Sequence, residues 1–347
     1  MSRALDRSVI TSLDSGDSAA AYEAISQALV GSQAYREQEQ QQQQHEELLE
    51  IEILGKSHPL GPGTFLLQDG HAIAVSKIGL VQAFFVARKK FQDYMISGGS
   101  QDSISPDEVL AVTSVMLLMD PEHLTAANAR KRLLVSEGSQ SREDLLIMIT
   151  KDRCFIDSLL TSRLHRHTKS PTLWSHRRWL VQTASHHGVQ VKIAGVVKHV
   201  VMVAGERHPR NYYAWCHARW LTSLTPENEE RATLEDLVDI TKGWCFRNHT
   251  DTSGWSFLFF LLMRLGGSRS SAVLEEAAGL ATSLQWTNES TWVFLRTLAA
   301  SGVTGEKGFT LFHETREALL HKVENTEGKR VLEEACSWSE TYRRRPS

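Results

Sequence analysis

Apolar positions along this chain keep two different rhythms. From residue 106 to about 300 they recur at helical spacing almost without a break. Val109, Val112, Val115, Met116 and Met119 make one stripe. Ile193, Val196, Val197, Val200 and Val201 make a second, and Leu234, Leu237, Val238, Trp244 and Cys245 a third. The third helix is opened by Thr225-Pro226-Glu227, read as an N-cap, a first-turn proline and an acidic first turn. Ahead of residue 106 the pattern is mixed. Residues 19–29 predict a short amphipathic helix, and 33–47, with its glutamine run 40–44, a solvated helix or spacer. Residues 48–54 alternate apolar and acidic, which predicts an extended segment ended by the Gly- and Pro-rich stretch 55–63. Residues 72–95 predict a helix with Ile78, Val81, Ala83, Phe84, Phe85 and Phe91 on its apolar side, and 96–101 a Gly/Ser loop.

The helical region contains a repeated segment. Residues 170–180 read Ser-Pro-Thr-Leu-Trp-Ser-His-Arg-Arg-Trp-Leu, and 211–221 read Asn-Tyr-Tyr-Ala-Trp-Cys-His-Ala-Arg-Trp-Leu. The two share Trp174 with Trp215, His176 with His217, Arg178 with Arg219, Trp179 with Trp220 and Leu180 with Leu221. Looser copies surround Trp255 and Trp292, so the leading tryptophans recur at intervals of 41, 40 and 37 residues. Four residues before them stand Ser170, Asn211, Asp251 and Asn288, side chains that accept from the free N–H groups at a helix start. Pro171 fits the first helical position. Each leading Trp then lies one turn into its helix, with Arg178 and Arg219 a further turn along the same face. Trp179 and Trp220 point elsewhere, so the helix is sandwiched.

A unit of about 40 residues built this way predicts an all-α fold, an α-α superhelix in which helical hairpins stack on their neighbours. Residues 124–134 read as the inner helix of an earlier copy, with Ala127 in the Trp place, Arg130 matching Arg177 and no capping residue, His123 standing there instead. A loop at 136–141 follows it. Gly266-Gly267 stops the helix of Trp255. After Trp292 the repeats fade into closing helices at 309–323 and 329–338 and a basic tail, 342–347. The chain is thereby read as an N-terminal region 1–104, repeats over 105–300 and a C-terminal region 301–347.

Bulk properties narrow the function. A net charge of −3 and a pI near 6.6 argue against a nucleic-acid binder. The longest apolar run, 255–262, is too short for a membrane span, and the N-terminus shows no secretory apolar core, so a cytoplasmic protein is expected. Cys154, Cys216, Cys245 and Cys336 are far apart and read as reduced, mostly structural thiols. His165, His167, His186 and His187 lack further ligands at suitable spacing and read as surface histidines, so no metal site is assigned.

The pattern of a polar cap followed by x-x-x-Trp-x-His-Arg-Arg-Trp-Leu resembles the repeat of the protein prenyltransferase α subunits, which builds the α subunits of farnesyltransferase and of two geranylgeranyltransferases. It covers roughly residues 105–300. The segment Glu50–Leu54 ahead of the repeats and the cores Pro209-x-Asn211-Tyr212-x-Ala214-Trp215 and Asp251-x-Ser253-Gly254 resemble the family as well. The resemblance implies a crescent of helix pairs around a separate β subunit, with that of Rab geranylgeranyltransferase the one suggested. It implies S-prenylation, of geranylgeranyl type, of C-terminal cysteines on a protein substrate. Zinc and the isoprenoid cavity are then expected in the β subunit, with no cofactor in this chain. The α subunit offers groups facing the isoprenoid diphosphate: Arg210 stands where the family has a lysine just before Asn-Tyr, and Tyr212 matches the family tyrosine beside it. An arginine fork holds two phosphate oxygens at once, so the change keeps the chemistry.

Read from the residues alone, Arg210 is a solvated loop arginine, the repeat tryptophans are core, and Arg177, Arg178 and Arg219 bridge neighbouring repeats. Ala218, Leu258 and Phe259 replace the repeat arginines in the third and fourth copies, and the fifth keeps only Arg296, which marks a divergent member. That loss motivates a second reading, a stand-alone helical-repeat adaptor without catalytic role. A tetratricopeptide array lacks its Trp-x-x-Leu-Gly-x-x-Tyr pattern, and a histidine-based metalloenzyme lacks ligands.

Overall fold

The computed structural model describes residues 17–34, 48–55, 57–97, 104–136 and 141–343. The expectations for 35–47, for most of 96–101 and 136–141, and for the end of the tail lie outside them. Helices dominate, and within each of two compact units, Met1–Val191 and Lys192–Ser347, they pack in sequential pairs. The division falls inside the stretch 105–300, not at its ends.

In the first unit α1 (Ser18–Ala34) and α2 (Lys77–Ile96) pack together and against α3 (Pro106–Met119). α3 pairs with α4 (Leu124–Ser136), and α5 (Arg142–Thr161) with α7 (Pro171–His186), the short α6 (His165–Thr168) lying between. A small sheet joins them, which the all-α expectation did not contain. Its strands are β1 (Glu50–Leu54), β2 (Leu66–Asp69) and β3 (Ala72–Ser76), in the order β1-β3-β2, with β1 parallel and β2 antiparallel to β3. The helix expected from residue 72 therefore begins five residues later. Ile73 and Val75 alternate with smaller residues and bury one face beside Ile51, a period of two. Gly70, at φ 53°, opens the two-residue turn from β2 to β3. Ser76 then caps α2 by accepting from Gly79 N–H. Leu49 N–H donates to Ser158 Oγ of α5 at 2.9 Å, which ties the strand to the helices.

The second unit has two rows. Helices α9 (Tyr212–Thr222), α11 (Thr252–Leu265), α13 (Glu289–Ala300) and α15 (Thr326–Tyr342) pack on one another in succession as the inner row. The outer row holds α8, α10 (Glu230–Arg247), α12 (Gly267–Ser283) and α14 (Gly305–Leu320). α8 is one rod from 193 to 207, made of Ile193–Val196, a π-helical turn Val197–Val201 and Met202–Arg207. α10 begins at Glu230, not at Pro226, because residues 226–229 first form a turn closed by Glu229 N–H on Pro226 O. Gly266, at φ 74°, ends α11.

The repeats do not fade after Trp292. Asn325, 37 residues beyond Asn288, caps α15 by accepting from Gly328 N–H at 2.6 Å, so α14 and α15 form another hairpin with Lys329 in the Trp place. At the other end His123 does cap: its Nδ1 accepts from Ala126 N–H at 3.2 Å.

Candidate functional site

The inner helices start from one local design. Ser170, Asn211 and Asp251 accept from the N–H three residues on, that of Leu173, Ala214 and Gly254. Asn288 departs from this: its side chain makes no backbone cap and instead donates to His249 O at 2.8 Å and accepts from His249 Nδ1 at 2.9 Å. Cap residues also reach the preceding loop. Ser170 Oγ donates to Pro121 O, and Asp251 Oδ2 accepts from Arg210 N–H at 2.6 Å.

The leading tryptophans occupy like surroundings. Trp174, Trp215, Trp255 and Trp292 are at most 4% exposed. Trp174, Trp255 and Trp292 each donate Nε1–H, at 2.8 Å, to the carbonyl six residues back, those of Thr168, His249 and Trp286. Trp215 breaks the rule. Its Nε1 is buried and has no hydrogen-bond partner among the described residues, while the matching carbonyl, Pro209 O, accepts from His208 Nδ1–H. Burying each indole contributes on the order of 2–3 kcal/mol.

The arginines fall into three situations. Arg177 is buried and holds Asp157 of α5 through Nε at 2.7 Å and through a second nitrogen at 3.2 Å. Arg130 makes the parallel contact one helix earlier: its Nε donates to Asp152 at 2.7 Å, its Nη1 meets Leu110 O, Thr113 and Ser114 of α3, and its plane lies 4.7 Å over Phe155. His176 Nε2–H takes the other oxygen of Asp152 at 2.8 Å. Burial alone pushes the Asp152 carboxyl up, yet Arg130 and His176 outweigh it and hold that carboxyl well below the usual range. Arg219 is half-buried; it donates to Ser256 O and Oγ at 2.8 Å and covers Phe260 at 4.9 Å. Arg178 and Arg210 are exposed. Trp179 and Trp220 are half-buried, each beside the histidine three residues back.

The two residues assigned to a diphosphate stand together at the start of α9. Arg210 has φ 60°, a left-handed conformation that costs an L-residue about 1 kcal/mol or more. Asp251 holds it there through the backbone N–H. Tyr212 is 68% exposed and Tyr213 40%, their rings meeting edge to face at 5.6 Å. A hydrogen bond to Cys216, one turn on, is the first cause that raises the Tyr212 pKa, with Arg219 working against it. Tyr212 therefore keeps its proton at neutral pH and remains a donor. Arg210, Tyr212, Cys216 and Arg219 thus give one corner and face of α9 a cationic, donor-rich surface beside exposed rings.

Repeat spacing does not point to Asp152 and Asp157. The available signal was their position: acids inside the otherwise buried side of α5. The histidines do not gather. His165 and His186 are exposed, but His167 is buried against Leu117 and Leu118 carbonyls, at 3.1 and 3.0 Å, which corrects its reading as a surface residue. Burial lowers its pKa to about 4. Among the described residues no helix is long and apolar enough to cross a membrane.

Comparison with known proteins agrees with this architecture. Residues 158–184 match the protein prenyltransferase alpha subunit repeat, and residues 173–284 match the ECM9 middle domain. The chain is 29% identical over 179 residues to human protein prenyltransferase alpha subunit repeat-containing protein 1, covering 47% of this chain and 41% of that protein. To the Danio rerio protein of the same name it is 27% identical over 246 residues, 65% of this chain and 53% of the relative. To Protein ECM9 of Saccharomyces cerevisiae it is 31% identical over 165 residues, 47% and 42% of the two chains. The chain spans about two fifths to one half of the length of these curated relatives.

Proposed function

We propose that this chain, which belongs with the protein prenyltransferase alpha subunit repeat-containing and ECM9 proteins, is the α subunit of a heterodimeric protein prenyltransferase of geranylgeranyl type. It acts in a cytoplasmic setting, in complex with a β subunit for which resemblance suggests the Rab geranylgeranyltransferase kind. The β subunit brings zinc, which lowers the pKa of the substrate cysteine thiol. In the reaction that thiolate forms a C–S bond to the first isoprenoid carbon, and the C–O bond to diphosphate breaks with its electron pair. Negative charge grows on the departing oxygen.

What carries the reading is the exposed corner at Arg210 and Tyr212. A guanidinium and a protonated phenol, fixed at the start of a rigid inner helix, are suited to stabilise that growing charge. The left-handed backbone at Arg210 supports this, since strain of this kind survives where neighbours hold it and clusters where a side chain must be presented. The remaining repeats supply the frame. The test is single-turnover prenyl transfer by the complex. Arg210→Gln should slow transfer about 10²-fold and Tyr212→Phe about 10-fold, with complex formation unchanged. Equal rates in wild type and both variants would remove these residues from the chemistry and leave the adaptor reading.

A further inference from the structure

The last hairpin gathers three groups of metal-ligand type that neither the frame nor the diphosphate corner uses. His313 lies on α14, and Cys336 and Glu340 lie one turn apart on α15. Cys336 Sγ is 3.7 Å from His313 Nδ1 and 3.5 Å from a Glu340 carboxylate oxygen, and all three ligand atoms fall within 4.8 Å of one another. Zinc bonded to sulfur at about 2.3 Å and to nitrogen or oxygen at about 2.0 Å holds tetrahedral neighbours about 3.5 Å apart. The two separations from Cys336 Sγ therefore already stand near those such an ion requires, and a ligand shift of about an ångström would close the third. Their identity, one thiol, one imidazole and one carboxylate, is a borderline-soft set that suits zinc over magnesium or calcium.

The ligands are also held. The His313 ring meets Phe309 edge to face at 4.6 Å and Phe312 at 5.2 Å, which limits its rotation and keeps Nδ1 toward α15. Two arginines lie close by: Arg316 pairs with Glu317 at 3.1 Å, and Arg343 pairs with Glu306 while lying over Phe309. His313 and Cys336 are half-buried and Glu340 is exposed, so the third ligand closes the site from the solvent side.

We propose that His313, Cys336 and Glu340 form a three-ligand zinc site that clamps α14 to α15 and leaves its fourth position to water. The Zn–S bond forms as the Cys336 thiol releases its proton to solvent. The site does not depend on the proposed transferase role.

The experiment uses the full chain without an affinity tag, stripped with chelator and then given one equivalent of zinc sulfate or cobalt chloride. One zinc per chain should survive desalting, and the cobalt form should show a thiolate-to-metal band in the near ultraviolet. Cys336→Ser should abolish the band, since the remaining thiols lie elsewhere. Glu340→Gln, at an exposed position that leaves the fold intact, should weaken zinc binding about tenfold or more. Failure of the wild-type chain to retain zinc would overturn the proposal, as would zinc affinity unchanged in Glu340→Gln. The second outcome decides even if Cys336→Ser does not fold.

Discussion

The two units build the same hairpin on different chemistry. In the first, buried ions join the helices: Arg130 with Asp152 and His176, and Arg177 with Asp157. In the second, the places equivalent to Arg177 hold Ala218 and Leu258, and rings take over the bridging. Trp215 meets Trp244 at 5.0 Å and Phe257 at 5.4 Å, Trp255 meets Phe294 at 4.5 Å, and Trp292 meets Phe312 at 5.7 Å. A polar residue at the helix start recurs through both, while Ala127 and Lys329 replace the leading Trp in the first and last copies. The frame of the repeat thus keeps a polar helix start, while the bridges between helices are free to be ionic or aromatic. A buried ion pair is no stronger than well-packed apolar groups, which explains how the arginines were lost without loss of the fold.

Breaking one partner separates the two chemistries most sharply. Asp157→Ala strands the buried Arg177 charge and should cost about 3–5 kcal/mol, whereas replacing both partners by apolar residues of similar volume should cost far less. Trp255→Ala should cost a similar 3–5 kcal/mol through its cavity, with no partner change able to rescue it. Urea unfolding of the four chains measures this.

Acid should single out the first unit. His167 has a folded pKa of about 4 against about 6.5 unfolded, so the unfolded chain binds its proton first. Its contribution is present above pH 6.5 and is lost as pH falls toward 4, by about 3 kcal/mol, and Asp152 adds a further loss below the usual carboxylate range. Alkali should single out the second unit. Burial raises the Cys245 thiol, so stability present at neutral pH is lost as pH rises past the ordinary thiol value of about 8.5. Of nine tryptophans, two lie in the first unit and seven in the second. Acid unfolding followed by far-UV circular dichroism should therefore precede the change in tryptophan fluorescence.

Smaller effects probe the shared frame. A Cβ on Gly254 would come within 2.5 Å of the Trp244 ring, so Gly254→Ala should destabilise by about 1–3 kcal/mol. At Arg210 the sign reverses. Glycine relieves the left-handed φ, so Arg210→Gly should be neutral or stabilising by up to about 1 kcal/mol while weakening diphosphate contacts. Thermal unfolding and prenyl transfer, measured on the same sample, would show that opposition.

The inner helices could be read from sequence because cap, Trp and spacing are local signals. Three of the four expected caps accept from a backbone N–H, and the fourth, Asn288, instead joins two loops, a choice that depends on His249 lying opposite. The two helices of the last hairpin are legible as closing helices, but their place in the repeat is not, since Lys329 stands where the other copies have Trp, although Asn325 keeps the interval. Strand β3 was hidden inside an apolar run that suits either period, and only pairing with β1 and β2 decides it. Asp152, Asp157 and the His313, Cys336 and Glu340 group become neighbours by packing between helices, which no spacing within one helix reveals.

Co-expression with the β subunit of Rab geranylgeranyltransferase, followed by light scattering on the purified material, tests the central claim most directly. A stable one-to-one complex that transfers a geranylgeranyl group, at a rate reduced by Arg210→Gln, is the expected result. A monomeric chain that leaves the β subunit behind would contradict it.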